Sequence, residues 1–340
     1  MLGGADHPMI KPIPPATLQH VLPPNLDYAY FQDGGRHPFR HDAAGFALVN
    51  AWWLAEASLL TYADDDFATR QFRDAGWTVD ADQPIAGAST LCYVVHSPDA
   101  VIVAFRGTRA YKPGAAPPTL ATFRDILRDY CTDGRVDLID GERQGCGGAV
   151  HRGFDVALDQ IWEDRLIPCL QRLCTERPSR TVWFTGHSLG AALATLAAAR
   201  FDARLGLRGV PRLYTFGSPL VGDRGFAERF GTPAFRFVNN CDVVPLVPRV
   251  GPCSRPPLVR AYEHVGELKY VASDGTLQDS PSRWARVTDG VKGRAGHLIN
   301  LAGQLKTGWE WELVDDGFND HAPLFYALRV WNAYAASLPR

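Results

Sequence analysis

The chain has 340 residues, with 35 basic side chains, 37 acidic ones and a formal net charge of −2. Scattered basic residues on a near-neutral chain offer no surface for nucleic acid, and no run of 18 or more apolar residues exists to form a membrane span. A chain of this length buries about three quarters of its unfolded surface, so a full core is expected, and one α/β domain can hold it.

Residues 1–26 carry Pro8, Pro12, Pro14, Pro15, Pro23 and Pro24. Such a run disfavours helix and sheet, so an extended surface arm or a disordered tail is expected ahead of one domain over 27–340. His41 to Tyr62 has the spacing of a first long helix, capped by Asp42, with Phe46, Val49, Trp53, Leu54 and Leu60 on its apolar face. Trp52 and Trp53 belong either to the core or to a pocket. Leu91 to Val95 and Val101 to Phe105 read as strands joined by a turn at Ser97-Pro98-Asp99. The second ends in Arg106-Gly107-Thr108, and the stretch after it, about 109–128, is either a lid or an ordinary surface loop.

A long amphipathic helix is expected from His151 to about Leu173, kinked at Pro168 and stopped by Pro178. Further strands are expected at Leu213 to Phe216, at Phe235 to Val238 and, as a single run, at Tyr262 to Val271. Arg283 to Lys306 has helical spacing interrupted by glycines. A closing helix is expected over Pro323 to Ala336. The seven cysteines are odd in number and form no C-x-x-C pair, which favours free thiols over a disulfide framework. No signal-peptide pattern opens the chain, so the default expectation is a cytoplasmic protein; leaderless or processed secretion gives the same sequence.

The most informative stretch is Thr181 to Ala194. An apolar run leads into Gly186-His187-Ser188-Leu189-Gly190, and alanine-rich helix follows. A serine on a sharp strand-to-helix turn, in the pattern G-x-S-x-G, is held with its hydroxyl clear of the sheet. The Leu189 N–H opens the helix without an intrahelical partner and can bind a developing oxyanion.

A serine nucleophile needs a base, and the base needs an orienting carboxylate. In the α/β-hydrolase chain order, Ser then Asp or Glu then His, only His264, His297 and His321 come late enough. His264 sits in a strand-like run and His297 in a helical one. His321 lies in a polar loop before the closing helix and is preferred. Asp242, directly after a strand, is preferred as the carboxylate over Asp223, which reads as a helix cap. Asp315, Asp316 and Asp320 are too near His321 in sequence. The second oxyanion donor is expected at Thr108, at the end of an early strand.

The motifs Phe105-Arg106-Gly107-Thr108, Val150-His151-Arg152-Gly153-Phe154, Gly186-His187-Ser188-Leu189-Gly190, Thr215 to Asp223 and Asn239 to Pro245 follow one another as they do in class 3 lipases. From about Phe46 to Val330 the chain resembles that family, the lipases similar to filamentous-fungal triacylglycerol lipases. The resemblance implies an α/β-hydrolase fold, with a central, mostly parallel sheet flanked by helices. It also implies Ser188 as nucleophile, Asp242 as acid, His321 as base, and Thr108 and Leu189 as the oxyanion hole. On the implied lid, Asp125 would support Thr108. The expected activity is hydrolysis of lipid esters through an acyl-enzyme, with a lipid–water interface as transient partner and no metal or organic cofactor. A carboxylesterase or acyltransferase acting on short esters, and a non-catalytic binding module on the same fold, are the alternatives.

Overall fold

The computed structural model describes residues 8–80, 82–108, 137–142, 145–204, 211–247, 262–279 and 319–339. The expected lid, Asp125, His297, Asp315, Asp316 and the helical spacing of Arg283 to Lys306 all fall outside the described residues.

The main sheet is built from β1 (Thr78–Val79), β2 (Ile85–Ala86), β3 (Leu91–His96) and β4 (Ala100–Phe105), and from β7 (Thr181–His187), β8 (Arg212–Phe216), β10 (Ala234–Asn239), β12 (Glu267–Val271) and β13 (Leu277–Gln278). Its order is β1-β3-β4-β7-β8-β10-β12-β13, with β2 also on β3. The five central strands, β4 to β12, run parallel. The edges turn antiparallel: β3 and β4 form the expected hairpin, and Ser97 Oγ closes its turn by accepting the Asp99 and Ala100 N–H groups. This is the α/β-hydrolase architecture read from the sequence. A smaller antiparallel sheet joins β5 (Leu138–Asp140), β6 (Ala149–His151), β9 (Gly222–Asp223) and β11 (Tyr262–Glu263).

Alternation along the strands divides the core in two, because successive side chains point to opposite faces. On one face Ile102, Ala104, Trp183, Tyr214 and Phe237 pack with Trp52, Leu54, Phe325 and Trp331. On the other, Val101, Val103, Val182 and Phe184 pack with Phe154, Trp162, Leu170 and Leu193. The first face is covered by helices α1 (Leu18–Val21), α2 (Leu48–Leu60), α3 (Asp65–Asp74) and, from the C-terminal end, Pro323–Ser337. The second is covered by α4 (Arg152–Asp159), α5 (Ile167–Glu176) and α6 (Leu189–Ala203). Short α7 (Arg224–Arg229) follows β9, and the closing helix Pro323–Ser337 is α8.

Four expectations change. The first long helix starts at Leu48, not His41, with Ala47 rather than Asp42 at its N-cap. Phe46 is drawn out of helical phase to pack on Tyr214, Phe235 and Phe237, and the Ala47 N–H donates to the Tyr214 hydroxyl. The helix after His151 breaks at Gln160-Ile161, and a wide turn of π geometry, Trp162–Leu166, leads into α5. Pro168, at the start of α5, offers no N–H to the preceding turn, so the ladder loosens upstream of the proline. The run Tyr262 to Val271 is two strands in two sheets, separated at Gly266, whose φ of 77° turns the chain. Residues 8–26 of the proline-rich stretch include one helical turn, Leu18–Val21, and the extended part around Met9 and Lys11 is docked rather than loose. Lys11 exchanges two backbone hydrogen bonds with the Asn332 amide, and Trp331 Nε1 donates to the Met9 carbonyl.

Candidate active site

Ser188 stands between β7 and α6 with φ 57° and ψ −126°. A non-glycine residue in this region costs about 1–3 kcal/mol and persists only where its surroundings over-determine it. Here they do. A Cβ at Gly186 would collide with the Gly190 backbone, and one at Gly190 would collide with the Phe105 carbonyl and meet Gly107 N at 2.9 Å. The start of α6 is therefore pressed against the ends of β4 and β7. The Ser188 N–H is tied to the Phe216 carbonyl on β8 at 3.0 Å. Leu189 is the first residue of α6, so its N–H belongs to the unsatisfied first turn that favours a negative charge. Thr108 lies half-buried just past β4, directly after the segment that touches Gly190.

His187, immediately before the serine, is buried and held at both ring nitrogens. Tyr62 Oη lies 2.8 Å from Nδ1, and Nε2 lies 2.7 Å from the His321 carbonyl. With Nε2–H donating to that carbonyl, Nδ1 accepts from the tyrosine, and the ring is neutral. Burial, followed by the His321 imidazole, holds its pKa well below the ordinary value. The two imidazole rings lie 4.5 Å apart between centroids, so His321 is beside the residue that precedes Ser188.

Asp242 follows the end of β10, and its side chain is fully buried. Oδ2 accepts from His321 Nδ1 at 2.8 Å and from the Tyr326 hydroxyl at 2.6 Å; Oδ1 accepts the Val244 N–H at 2.9 Å. A buried charge without such partners would cost several kcal/mol. The His321 tautomer follows: Nδ1 carries the proton toward the carboxylate, which gives Nε2 the basic lone pair. Gly217, at the end of β8 with φ 60°, lies underneath. A Cβ there would stand 2.8 Å from Asp242 Oδ2 and from His321 Nδ1 and Cε1.

The other candidates are placed elsewhere. Asp223 caps α7 through the Phe226 N–H and also accepts the Ala149 N–H, so it serves the smaller sheet. His264 lies just past β11, and its Nε2 meets the Pro245 carbonyl at 2.7 Å. Trp52 and Trp53 are core, with Trp52 Nε1 bound to Glu56. Of the apolar residues near Asp242, Leu246 is exposed and Val247 half-buried. Cys92, Cys169 and Cys174 are free thiols. Among the described residues, no group of three or more His, Cys, Asp or Glu side chains could hold a metal ion, and no helix is long and apolar enough to cross a membrane.

Sequence reasoning passed over Tyr62, His187, Gly217 and Tyr326. A histidine directly before the serine in a buried strand was a visible signal for one of them. The tyrosines and Gly217 carry none, because their partners are distant in sequence.

The sequence model of class 3 lipases matches residues 102–251, which span β4, the elbow and the Asp242 loop. Over that segment, less than half of its length, the chain resembles the class 3 lipases. It is similar to the secreted mono- and diacylglycerol lipase A of Penicillium cyclopium, 28% identical over 245 residues that cover 70% of each chain. It is also similar to the toxin TseL of Vibrio cholerae, 26% identical over 274 residues, covering 62% of this chain but 41% of the toxin. The chain thus spans well under half the length of that relative. The Rhizomucor miehei lipase in its propeptide complex shares the fold, with a TM-score of 0.51 at 21% identity, covering 70% of this chain and 75% of that one.

Proposed function

We propose that this chain is a class 3 lipase and hydrolyses carboxylic esters of lipids, acylglycerols foremost, through an acyl-enzyme on Ser188. The observation that carries the reading is the His321 Nδ1–Asp242 Oδ2 hydrogen bond of 2.8 Å at the sheet edge that also carries Ser188. His321 Nε2 takes the hydroxyl proton as Ser188 Oγ attacks the ester carbonyl. Asp242 stabilises the imidazolium that forms. The Leu189 N–H and Thr108 hold the tetrahedral oxyanion. The C–O bond then breaks, His321 returns the proton to the leaving alcohol, and the acyl group stays on Ser188. Water attacks in turn and gives a proton to His321; the bond between Ser188 Oγ and the acyl carbon then breaks, His321 returns that proton to Ser188, and the acid is released. Asp125, outside the described residues, would support Thr108. The resemblance to acylglycerol lipases supports a lipid substrate met at a lipid–water interface.

A serine-reactive phosphonate followed by mass spectrometry tests the nucleophile, and label on Ser188 alone is expected. Rates on short- and long-chain esters, below and above micelle formation, test the substrate. A rise in rate at the micellar threshold supports interfacial lipolysis, whereas simple saturation on soluble short esters means a carboxylesterase. Absence of both label and turnover would leave the fold as a binding module.

A further inference from the structure

We infer that Asp320 is a positioning residue for the proposed reaction, joining the loop that carries Asp242 to the segment that carries His321. The inference rests on the roles proposed for those two residues.

Asp242 is reached from β10 through a difficult turn. Asn239 ends the strand, and Asn240 takes φ 39°, a left-handed backbone that a side chain disfavours. Three of the hydrogen bonds that hold this turn end on one residue. Asp320 Oδ2 accepts from Asn240 Nδ2 at 2.8 Å and from the Cys241 N–H at 3.1 Å, and the Asp320 carbonyl accepts from Asn239 Nδ2 at 2.7 Å. Arg329, two turns into α8, faces Asp320 Oδ1 at 3.5 Å. The Asn240 N–H is fixed by the Val271 carbonyl and the Asp242 N–H by the Asn239 carbonyl. Asp320 precedes His321 directly. One buried carboxylate therefore fixes the residues just before the proposed acid, while its own backbone sets where the proposed base begins. The 2.8 Å bond between Asp242 and His321 closes a ring through this clasp.

A buried carboxylate that accepts from two donors and faces a guanidinium works as an anion. Among the described residues, the charged and titratable groups around it are Arg329 from α8, Asp242 from the loop, and the neighbouring His321 and Tyr326. Burial, opposed by Arg329, the Cys241 N–H and the Asn240 amide and aided by Asp242, pushes its pKa up to about 6. Protonation in mild acid removes the charge from the clasp and weakens its hold on the Asp242 turn. This gives a signature that a purely structural contact lacks.

Asp320→Asn and Asp320→Ala are compared with the wild type on a soluble ester, with Ser188→Ala and His321→Ala as references. Misplacing a catalytic group by about an ångström can cost roughly 100-fold, so Asp320→Ala is expected to lose about that in kcat/KM and Asp320→Asn about tenfold. A single imidazole gives an acid limb with a limiting slope of one in log kcat/KM against pH. The wild type is expected to fall more steeply than that below about pH 6, and Asp320→Asn to return to unit slope. The inference is overturned if Asp320→Asn keeps the wild-type kcat/KM and acid limb, or if its melting temperature falls while both stay unchanged. Should Asp320→Ala fail to fold, the near-isosteric Asp320→Asn decides alone. Turnover retained by Ser188→Ala or His321→Ala is a different failure, because it removes the catalytic reading itself.

Discussion

The two halves of the site are fixed by different physics. At the elbow, Ser188 is held by steric exclusion: glycines at 186 and 190 let backbone press on backbone, and the ends of β4 and β7 leave the serine no other conformation. On the opposite side, Asp242 and His321 are held by hydrogen bonds among buried polar groups drawn from β10, the loop after it and α8. Steric exclusion is local and tolerates no change of volume. A hydrogen-bonded clasp is distributed, and it can be weakened without unfolding the chain. Substitutions at the elbow should therefore end chemistry or folding outright, whereas those on the Asp242 side should grade activity.

The largest expected effect comes from Ser188→Ala, which should cut kcat on the order of a million-fold with the melting temperature unchanged or raised. Relief of the φ 57° strain is small, since alanine keeps the Cβ that causes it. Steady-state kinetics with calorimetry reads both numbers, and a residual rate within a thousand-fold of wild type would point to another nucleophile.

Paired glycine substitutions come next and contrast the two halves directly. In Gly190→Ala the new Cβ meets the Phe105 carbonyl and the Arg106 and Gly107 backbone, in the interior of the sheet edge. Backbone there cannot yield, so a loss of about 3 kcal/mol or more is expected, read as poor expression or a lowered urea midpoint. In Gly217→Ala the new Cβ meets the side chains of Asp242 and His321, which can shift, and the φ of 60° costs the alanine only about 1–2 kcal/mol. A folded protein with kcat/KM reduced roughly 100-fold is expected. Equal stability losses in the two variants would erase the distinction between the halves.

The same contrast explains what the sequence could tell. The elbow was legible because its parts are contiguous: an apolar strand, two glycines around a serine and an alanine-rich helix all lie between Thr181 and Ala203. The parallel sheet and its hairpin edge were legible from period and turn chemistry. Asp242 and His321 could be nominated by chain order and strand ends, but the groups that hold them could not. Tyr62 lies 125 residues from His187, and Tyr326 lies 84 residues from Asp242. Asp320, set aside as a triad acid for its nearness to His321, is 80 residues from the Asn240 it binds. Only the fold brings such pairs together. The start of α2 was missed for a related reason, since Phe46 fits a helical stripe equally well but is claimed by aromatic rings on β8 and β10.

A smaller effect is expected from Tyr326→Phe. The hydroxyl donates to Asp242 Oδ2 and accepts the Asn239 N–H at 3.0 Å. Its loss leaves a buried carboxylate with one donor fewer and a buried N–H without its acceptor, a cost of about 1–3 kcal/mol for each group. Asp242 still holds the imidazole, so kcat/KM should fall only about tenfold by analogy with a modest misplacement. A fall as large as that of Ser188→Ala would mean that the hydroxyl takes part in chemistry.

The smallest expected effect separates stability from activity at a single residue. The folded-state pKa of Asp320 is about 6, against an ordinary value of 3.8. Between those pH values the folded protein holds a proton that the unfolded chain releases. Stability from this group is therefore greatest at the acid end of the window and declines as pH rises toward 6, by at most about 3 kcal/mol. The proposed clasp needs the opposite form, the carboxylate, so activity should rise over the same interval. Burial raises Glu56 and Asp155 as well, and both contribute with the same sign, so the wild-type melting curve alone does not isolate Asp320. The difference between wild type and Asp320→Asn does. The amide cannot titrate, and the melting-temperature gap between the two proteins should change by a few degrees between about pH 4.5 and about pH 7. A gap that is constant with pH would mean that Asp320 titrates alike in the folded and unfolded chains, and that the cost of burying its charge is already met by Arg329, Asn240 and the Cys241 N–H.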